Sequence, residues 1–189
     1  MAGLAARLQE KQIGLFWDAA DGGFFESEDG DPSVLLRMKE EDDGAEPSAN
    51  SVSVRNLVRL SQLLGREDWR TLARRTALAF GRQLERAPTA LPQMLVSLGW
   101  IDGSPRQIII AGEPDSADAR AMVAAVWGQF LPRRVLARID RASRGYFASK
   151  VPFVAGLPAD SGDAATAYVC EDFVCRLPLR DPAELAKAL

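Results

Sequence analysis

No histidine occurs among the 189 residues. Imidazole acid–base pairs, Ser-His or Cys-His nucleophiles and imidazole metal ligands are therefore outside the chemistry open to this chain. What remains is carboxylates, lysine, tyrosine and two cysteines. The densest gathering of such groups is Arg37, Lys39, Glu40, Asp43, Glu46, Ser48 and Asn50, a polar loop leading into a helix N-terminus. With Trp17, Phe24 and Phe25 as an aromatic surface, this set suits a polar, ring-shaped ligand of the carbohydrate kind, held by carboxylates, amides and ring faces. A structural reading stands beside it: Ser48 and Asn50 cap the helix, Gly44 allows a tight turn, and the charges solvate the loop. Glycoside hydrolysis requires two carboxylates. Asp18, Glu26, Asp43 and Glu46 are the candidates, and their separation cannot be read from sequence. No turnover is expected of this chain alone, and no cofactor or metal is expected.

Cys170 and Cys175 are the other reactive pair. In one continuous strand, positions five apart face opposite sides, so they bond only if a turn at Glu171-Asp172 folds them together. Two thiolates make an incomplete zinc site, and small buried core residues is the reading adopted for them. Ile110-Ala111-Gly112 before Ser116 has the outline of a strand-to-helix phosphate loop. It lacks the G-x-G-x-x-G and G-K-[ST] patterns, and Glu113, Asp115 and Asp118 place negative charge where a phosphate would sit. Those acids suit the helix dipole instead.

Apolar residues at 47% and charged residues at 26% describe an ordinary globular chain, and a net charge of −3 supplies no footprint for nucleic acid or an anionic membrane. No apolar stretch approaches the roughly 20 residues of a membrane span. Met1–Gln12 carries Arg7, Glu10 and Lys11, an amphipathic helix rather than a signal peptide. Two cysteines are too few for a disulfide scaffold, so the cytoplasm is the expected compartment.

The elements that would position these residues are mainly helical. Ala2 to about Phe16 predicts a helix with Leu4, Ala5, Leu8 and Leu15 on its apolar side. Asp18–Gly23 is a turn, and Val34–Met38 is an apolar run expected to pair with Phe24-Phe25 as a hairpin. A second helix is expected from Ser48, with Val52, Val54, Leu57, Val58 and Leu64 inward, Arg55, Asn56, Arg59 and Gln62 outward, and Gly65 as its end. Trp69, Leu72, Ala73, Thr76, Ala77, Phe80 and Leu84 predict a third helix. A fourth carries Pro92 in its first turn and stops at Gly99. Beyond Gly103 the texture changes to strand 107–111, helix 116–130 and strand 135–139, a βαβ crossover with parallel strands. A further strand, straight or with a bend, is expected over 167–175 and a terminal helix over 182–189. Trp69 and Trp127 are expected in the core. Two parts are expected, a helical one over 1–103 with an inserted hairpin and loop at about 18–47, and a small α/β segment over 104–189.

One ordered series of residues carries a resemblance. Phe16-Trp17-Asp18, Gly22-Gly23-Phe24-Phe25, Lys39-Glu40 and the run Asp43-Gly44-Ala45-Glu46-Pro47-Ser48-Ala49-Asn50-Ser51 follow one another, and Tyr168-Val169-Cys170, Phe173-Val174-Cys175 and Pro178 close the chain. Together they resemble the C-terminal part of the YyaL, or spermatogenesis-associated protein 20, family of thioredoxin-domain-containing proteins. The resemblance implies an N-terminal thioredoxin-like domain followed by an (α/α)6 toroid similar to six-hairpin glycosidases and sugar epimerases, and hence carbohydrate metabolism. The thioredoxin part and its cysteine motif are absent here. Four helices before Trp100, against twelve in a full toroid, imply that the chain enters the toroid midway. The fold expected is mainly α, a partial toroid followed by a small α/β segment. Half a toroid leaves inner helix faces uncovered, so a homodimer or a missing N-terminal portion is the expected partner. The alternative function is a non-catalytic interaction or regulatory module completed by another chain.

Overall fold

A computed structural model describes residues 2–157, 164–171 and 174–189. The described residues are mainly helical, with an open four-stranded sheet among them. It divides into two compact units, residues 1–61 with 66–103, and residues 62–65 with 104–189.

The first unit contains α1 (Ala2–Phe16), α2 (Ala49–Leu64) up to Ser61, α3 (Glu67–Ala79), α4 (Gly81–Arg86), a 3-10 turn at Pro88–Ala90 and α5 (Pro92–Asp102). α2 starts where the Ser48 hydroxyl accepts the Ser51 N–H at 3.1 Å, satisfying one of the donors a helix start leaves open. It ends at Gly65, whose φ of +66° is the left-handed conformation that glycine adopts without strain. Val54, Leu57, Val58 and Leu64 are buried, and so are Ser51, Ser53 and Ser61. Two of these hydroxyls turn back onto their own helix, Ser53 to the Ala49 carbonyl and Ser61 to the Val58 carbonyl, which lets a polar helix lie inside. Val52 is exposed and Gln62 is buried, the reverse of the expected placement of both.

α1 departs from expectation in its face. Leu4 and Leu8, expected inward, are 54% and 59% exposed, while Gln9 is buried. Gln9 donates to Gln12, and Gln12 donates to the Ser53 hydroxyl of α2 at 2.7 Å. The helix therefore meets its neighbour through amides, because the facing surface of α2 offers serine oxygens rather than methyl groups.

Trp69, Ala73, Thr76, Ala77 and Phe80 are buried in the expected phase, with Arg74 and Arg82 outside. The single helix expected through Leu84 breaks at Phe80 (φ −96°, ψ 8°), just before Gly81, and resumes as α4. Glycine costs a helix interior about 1 kcal/mol relative to alanine. α5 runs past Gly99, against expectation, because burial of Trp100 and Ile101 outweighs that same cost. No strand forms at Val34–Met38. Asp31 accepts bonds from the amide and hydroxyl of Ser33 and turns the chain. Phe24 instead forms an isolated antiparallel bridge with Trp17, and one bond joins the Glu26 N–H to the Met38 carbonyl.

The second unit contains β1 (Arg106–Ala111), α6 (Ala117–Trp127), β2 (Arg134–Ile139), α7 (Arg141–Lys150), α8 (Pro152–Ala155), β3 (Thr166–Glu171), β4 (Val174–Cys175) and α9 (Pro182–Ala188). The sheet order is β2-β1-β3-β4. β1 and β2 are parallel across α6, while β3 runs antiparallel to both β1 and β4. Ile108 and Ile110 of β1 and Ala167 and Val169 of β3 share one face and pack on Ala119, Met122 and Val126 of α6 and Leu185 of α9. α7 is an addition to the sequence reading; Asp140 and Ser143 form a reciprocal capping box at its start.

Two further expectations are overturned here. Trp127 is 63% exposed, with the Arg134 guanidinium 4.0 Å from its ring centroid, because the last turn of α6 carries it past the core. The strand expected over 167–175 is two strands, in whose register Cys170 faces Cys175, and the two form a disulfide. Among the described residues no helix is long and apolar enough to cross a membrane.

Candidate functional site

The segment between α1 and α2 is built on side chains that bond to backbone. Directly after α1, the Asp18 N–H donates to the Gly23 carbonyl at 2.9 Å and the Gly22 N–H to the Asp18 carbonyl at 3.1 Å. Gly22 and Gly23 have φ of +81° and +82°. A Cβ on Gly22 would also sit 2.9 Å from the Arg75 carbonyl oxygen, so only glycine fits. Asp18 Oδ1 accepts the N–H groups of Ala20 and Asp21, at 2.8 and 3.2 Å. Its Oδ2 lies 2.6 Å from Lys39 Nζ, which also donates to the Gly22 carbonyl at 2.6 Å. The bond from Lys39 holds the Asp18 carboxyl below the usual carboxylate range, against the opposing effect of burial.

Phe24 is 1% exposed. Both backbone groups of Phe24 are met by Asn50, whose Oδ1 accepts the N–H at 2.7 Å and whose Nδ2 donates to the carbonyl at 2.9 Å. The Phe24 ring packs edge-on to Trp17, centroids 5.2 Å apart, and Trp17 has the Arg75 guanidinium 5.1 Å from its own centroid. Arg37 donates through Nε and Nη2 to the Ser27 carbonyl, and its guanidinium lies 4.0 Å from the centre of the Phe25 ring. Asp43 joins two helix starts, its Oδ1 accepting the Ser48 N–H at 2.9 Å and its Oδ2 the Gln93 N–H of α5 at 2.8 Å. Burial pushes the Asp43 carboxyl up, but the Ser51 hydroxyl and the Ser48 and Gln93 amides outweigh it and hold it low.

The sequence candidates thus fall into two groups. The charged or amide groups of Asp18, Arg37, Lys39, Asp43 and Asn50 all have partners within the chain. Glu26 and Glu46 are exposed, and Trp17 and Phe25 are partly exposed. Arg75 and Gln93 belong to the same construction but were not among the candidates. Arg75 reads in sequence as one more residue on the wet face of α3, yet it donates to the Ala19 carbonyl at 2.8 Å. Nothing local in the sequence marks Gln93. Neighbouring donors shift the Asp18 and Asp43 carboxyls downward, the opposite direction from that of a glycosidase general acid.

The chain is 40% identical over 186 residues to spermatogenesis-associated protein 20 of Homo sapiens, and 39% identical to that of Rattus norvegicus, with 98% of this chain covered in each comparison. The chain belongs to the YyaL, or spermatogenesis-associated protein 20, family. It spans about a quarter of the length of these relatives, 24% and 23% respectively. An uncharacterised protein of Caenorhabditis elegans is 32% identical over 96% of the chain and 24% of its own length. No family model matches the chain. Membership of the YyaL family extends over both units, since the aligned residues take in nearly all of the sequence.

Proposed function

We propose that this chain is a C-terminal module of a longer YyaL-type protein and presents the loop between α1 and α2 as one wall of a pocket for a polar, sugar-like ligand. The rest of the pocket, an (α/α)6 toroid, is completed by residues outside the chain. The observation that carries this reading is the pinning of an irregular segment by Asn50, Asp43 and the Asp18–Lys39 pair. Buried backbone needs such partners in any loop, and a binding wall in addition gains affinity from being set before the ligand arrives. Because the partnered groups are already engaged, direct ligand contacts fall to Glu26, Glu46, Trp17 and Phe25. No reaction is assigned to the chain by itself.

A second reading, a non-catalytic interaction module completed by another chain, is favoured by the exposure of Leu4 and Leu8 on α1 and of Leu78, Leu95 and Val96 on α3 and α5. Calorimetry with a panel of neutral and acidic mono- and disaccharides separates the two. Weak binding that is lost in Glu46→Gln and in Trp17→Ala supports the ligand wall. Absence of binding both to this chain and to a full-length relative overturns it and leaves the interaction module.

A further inference from the structure

The connection between α6 and β2 presents a basic and aromatic surface that the loop reading does not use. Trp127 is 63% exposed and Phe130, three residues on, is 92% exposed, and large exposed rings mark contact surfaces. Arg134 lies over Trp127 and donates to the Leu131 carbonyl at 3.0 Å, which fixes ring and cation to each other. Beside them opens a cleft of about 550 Å³, lined by Arg106, Leu131, Arg133 and Glu171 among others. In the sheet register Arg134 stands next to Arg106, and Arg106 opposite Glu171. Glu171 is already divided between Arg106 at 2.6 Å and Arg176 at 3.8 Å. Arg133 is exposed and has no carboxylate partner among the described residues. The face therefore has positive charge and apolar surface to spare.

The complementary surface is carried by the same chain. Leu35, Leu36 and Met38 are 104%, 72% and 55% exposed, and Glu40, Glu41 and Asp42, which follow them, are exposed as well. Arg37 and Lys39 bond inward, so the outer side of this loop shows methyl groups and three carboxylates. We infer that the α6–β2 face of one copy binds the loop 35–42 of a second copy, with apolar side chains against Trp127 and Phe130 and carboxylates against Arg133 and its neighbours. The contact joins two different surfaces, the face of one copy and the loop of the other. It draws on a different stretch of the α1–α2 loop from Glu46 and Trp17, the residues that test the ligand wall, so the two readings fail separately.

Sedimentation over a range of protein and salt concentrations tests this. The expected result is a mass above that of the single chain at low salt, decreasing as salt screens the charges. Arg133→Glu and Glu41→Arg, both at exposed positions, should each weaken association at least tenfold. A mixture of the two variants should associate again, because the altered face and the altered loop are then complementary. Helical circular dichroism should match in all three proteins. A wild-type chain that stays single at every concentration overturns the inference. So does association that neither substitution weakens, which would place the contact on the apolar helices of the first unit.

Discussion

The side-chain amide of Asn50 occupies the place of a neighbouring strand for Phe24, accepting its N–H at 2.7 Å and donating to its carbonyl at 2.9 Å. Phe24 lies between a turn and an irregular loop, where no second strand satisfies its buried backbone. Asn50→Ala leaves a buried donor and a buried acceptor unmet and is expected to cost about 2–4 kcal/mol. Asn50→Asp keeps the acceptor but sets an oxygen against the Phe24 carbonyl, and is expected to cost at least as much at neutral pH. Urea melts of the two variants check both, and wild-type stability in Asn50→Ala would remove this residue from the loop's support.

Lys39→Met leaves the Asp18 carboxylate without its cation in a site where the two side chains are only 18% and 11% exposed. A loss of about 2–3 kcal/mol is expected at pH 7. Because the folded carboxyl is held below its ordinary range, its contribution is complete above about pH 4 and disappears as pH falls through the lower folded value. The difference between wild type and Lys39→Met should therefore shrink as pH drops below about 4. A difference that persists unchanged at low pH would show that packing, not charge, is what Lys39 supplies.

Phe80 closes the buried stripe of α3 at 5% exposure, whereas Arg74 stands on the exposed side. Phe80→Ala is expected to cost about 3–5 kcal/mol, and Arg74→Ala less than about 0.5 kcal/mol. Comparable effects in denaturant melts would contradict the phase of this helix.

The disulfide between Cys170 and Cys175 closes a short loop, with a sequence separation of 5. Loop-closure entropy for so few residues gives about 2 kcal/mol. Reduction, or Cys175→Ser, should lower stability by that amount, and the unreduced protein should resist alkylation. Two alkylated thiols in the untreated, folded protein would count against the bond.

Much of the secondary structure is legible from short spacings. The stripe Trp69-Ala73-Thr76-Ala77-Phe80 and the βαβ crossover of β1, α6 and β2 need only the periodicity of apolar residues and the length of the connection. The burial of Gln9 in place of Leu8 is not legible in this way, because α1 alone has two serviceable faces and the serines of α2 choose between them. Trp127 continues an apolar stripe, but where a stripe leaves the core depends on where the sheet beneath it ends. The Cys170–Cys175 bond was open in the sequence, conditional on a turn, and pairing of β3 with β4 decides it.

The candidate site shows the same division more sharply. Composition and order by themselves determined a mainly helical chain, the absence of imidazole chemistry, and the concentration of polar groups between residues 37 and 50. Only the tertiary structure decided which of those groups are occupied. Asn50 reaches 26 residues back to Phe24, Lys39 reaches 21 residues back to Asp18, and Asp43 reaches 50 residues forward to Gln93. A carboxylate or amide in a loop can bond to water or to a distant backbone group, and its own neighbours in sequence are the same in either case. The choice is made by the packing that brings the distant group within 3 Å and removes the water, which is why Glu46 and Asp43, three residues apart, end in different roles.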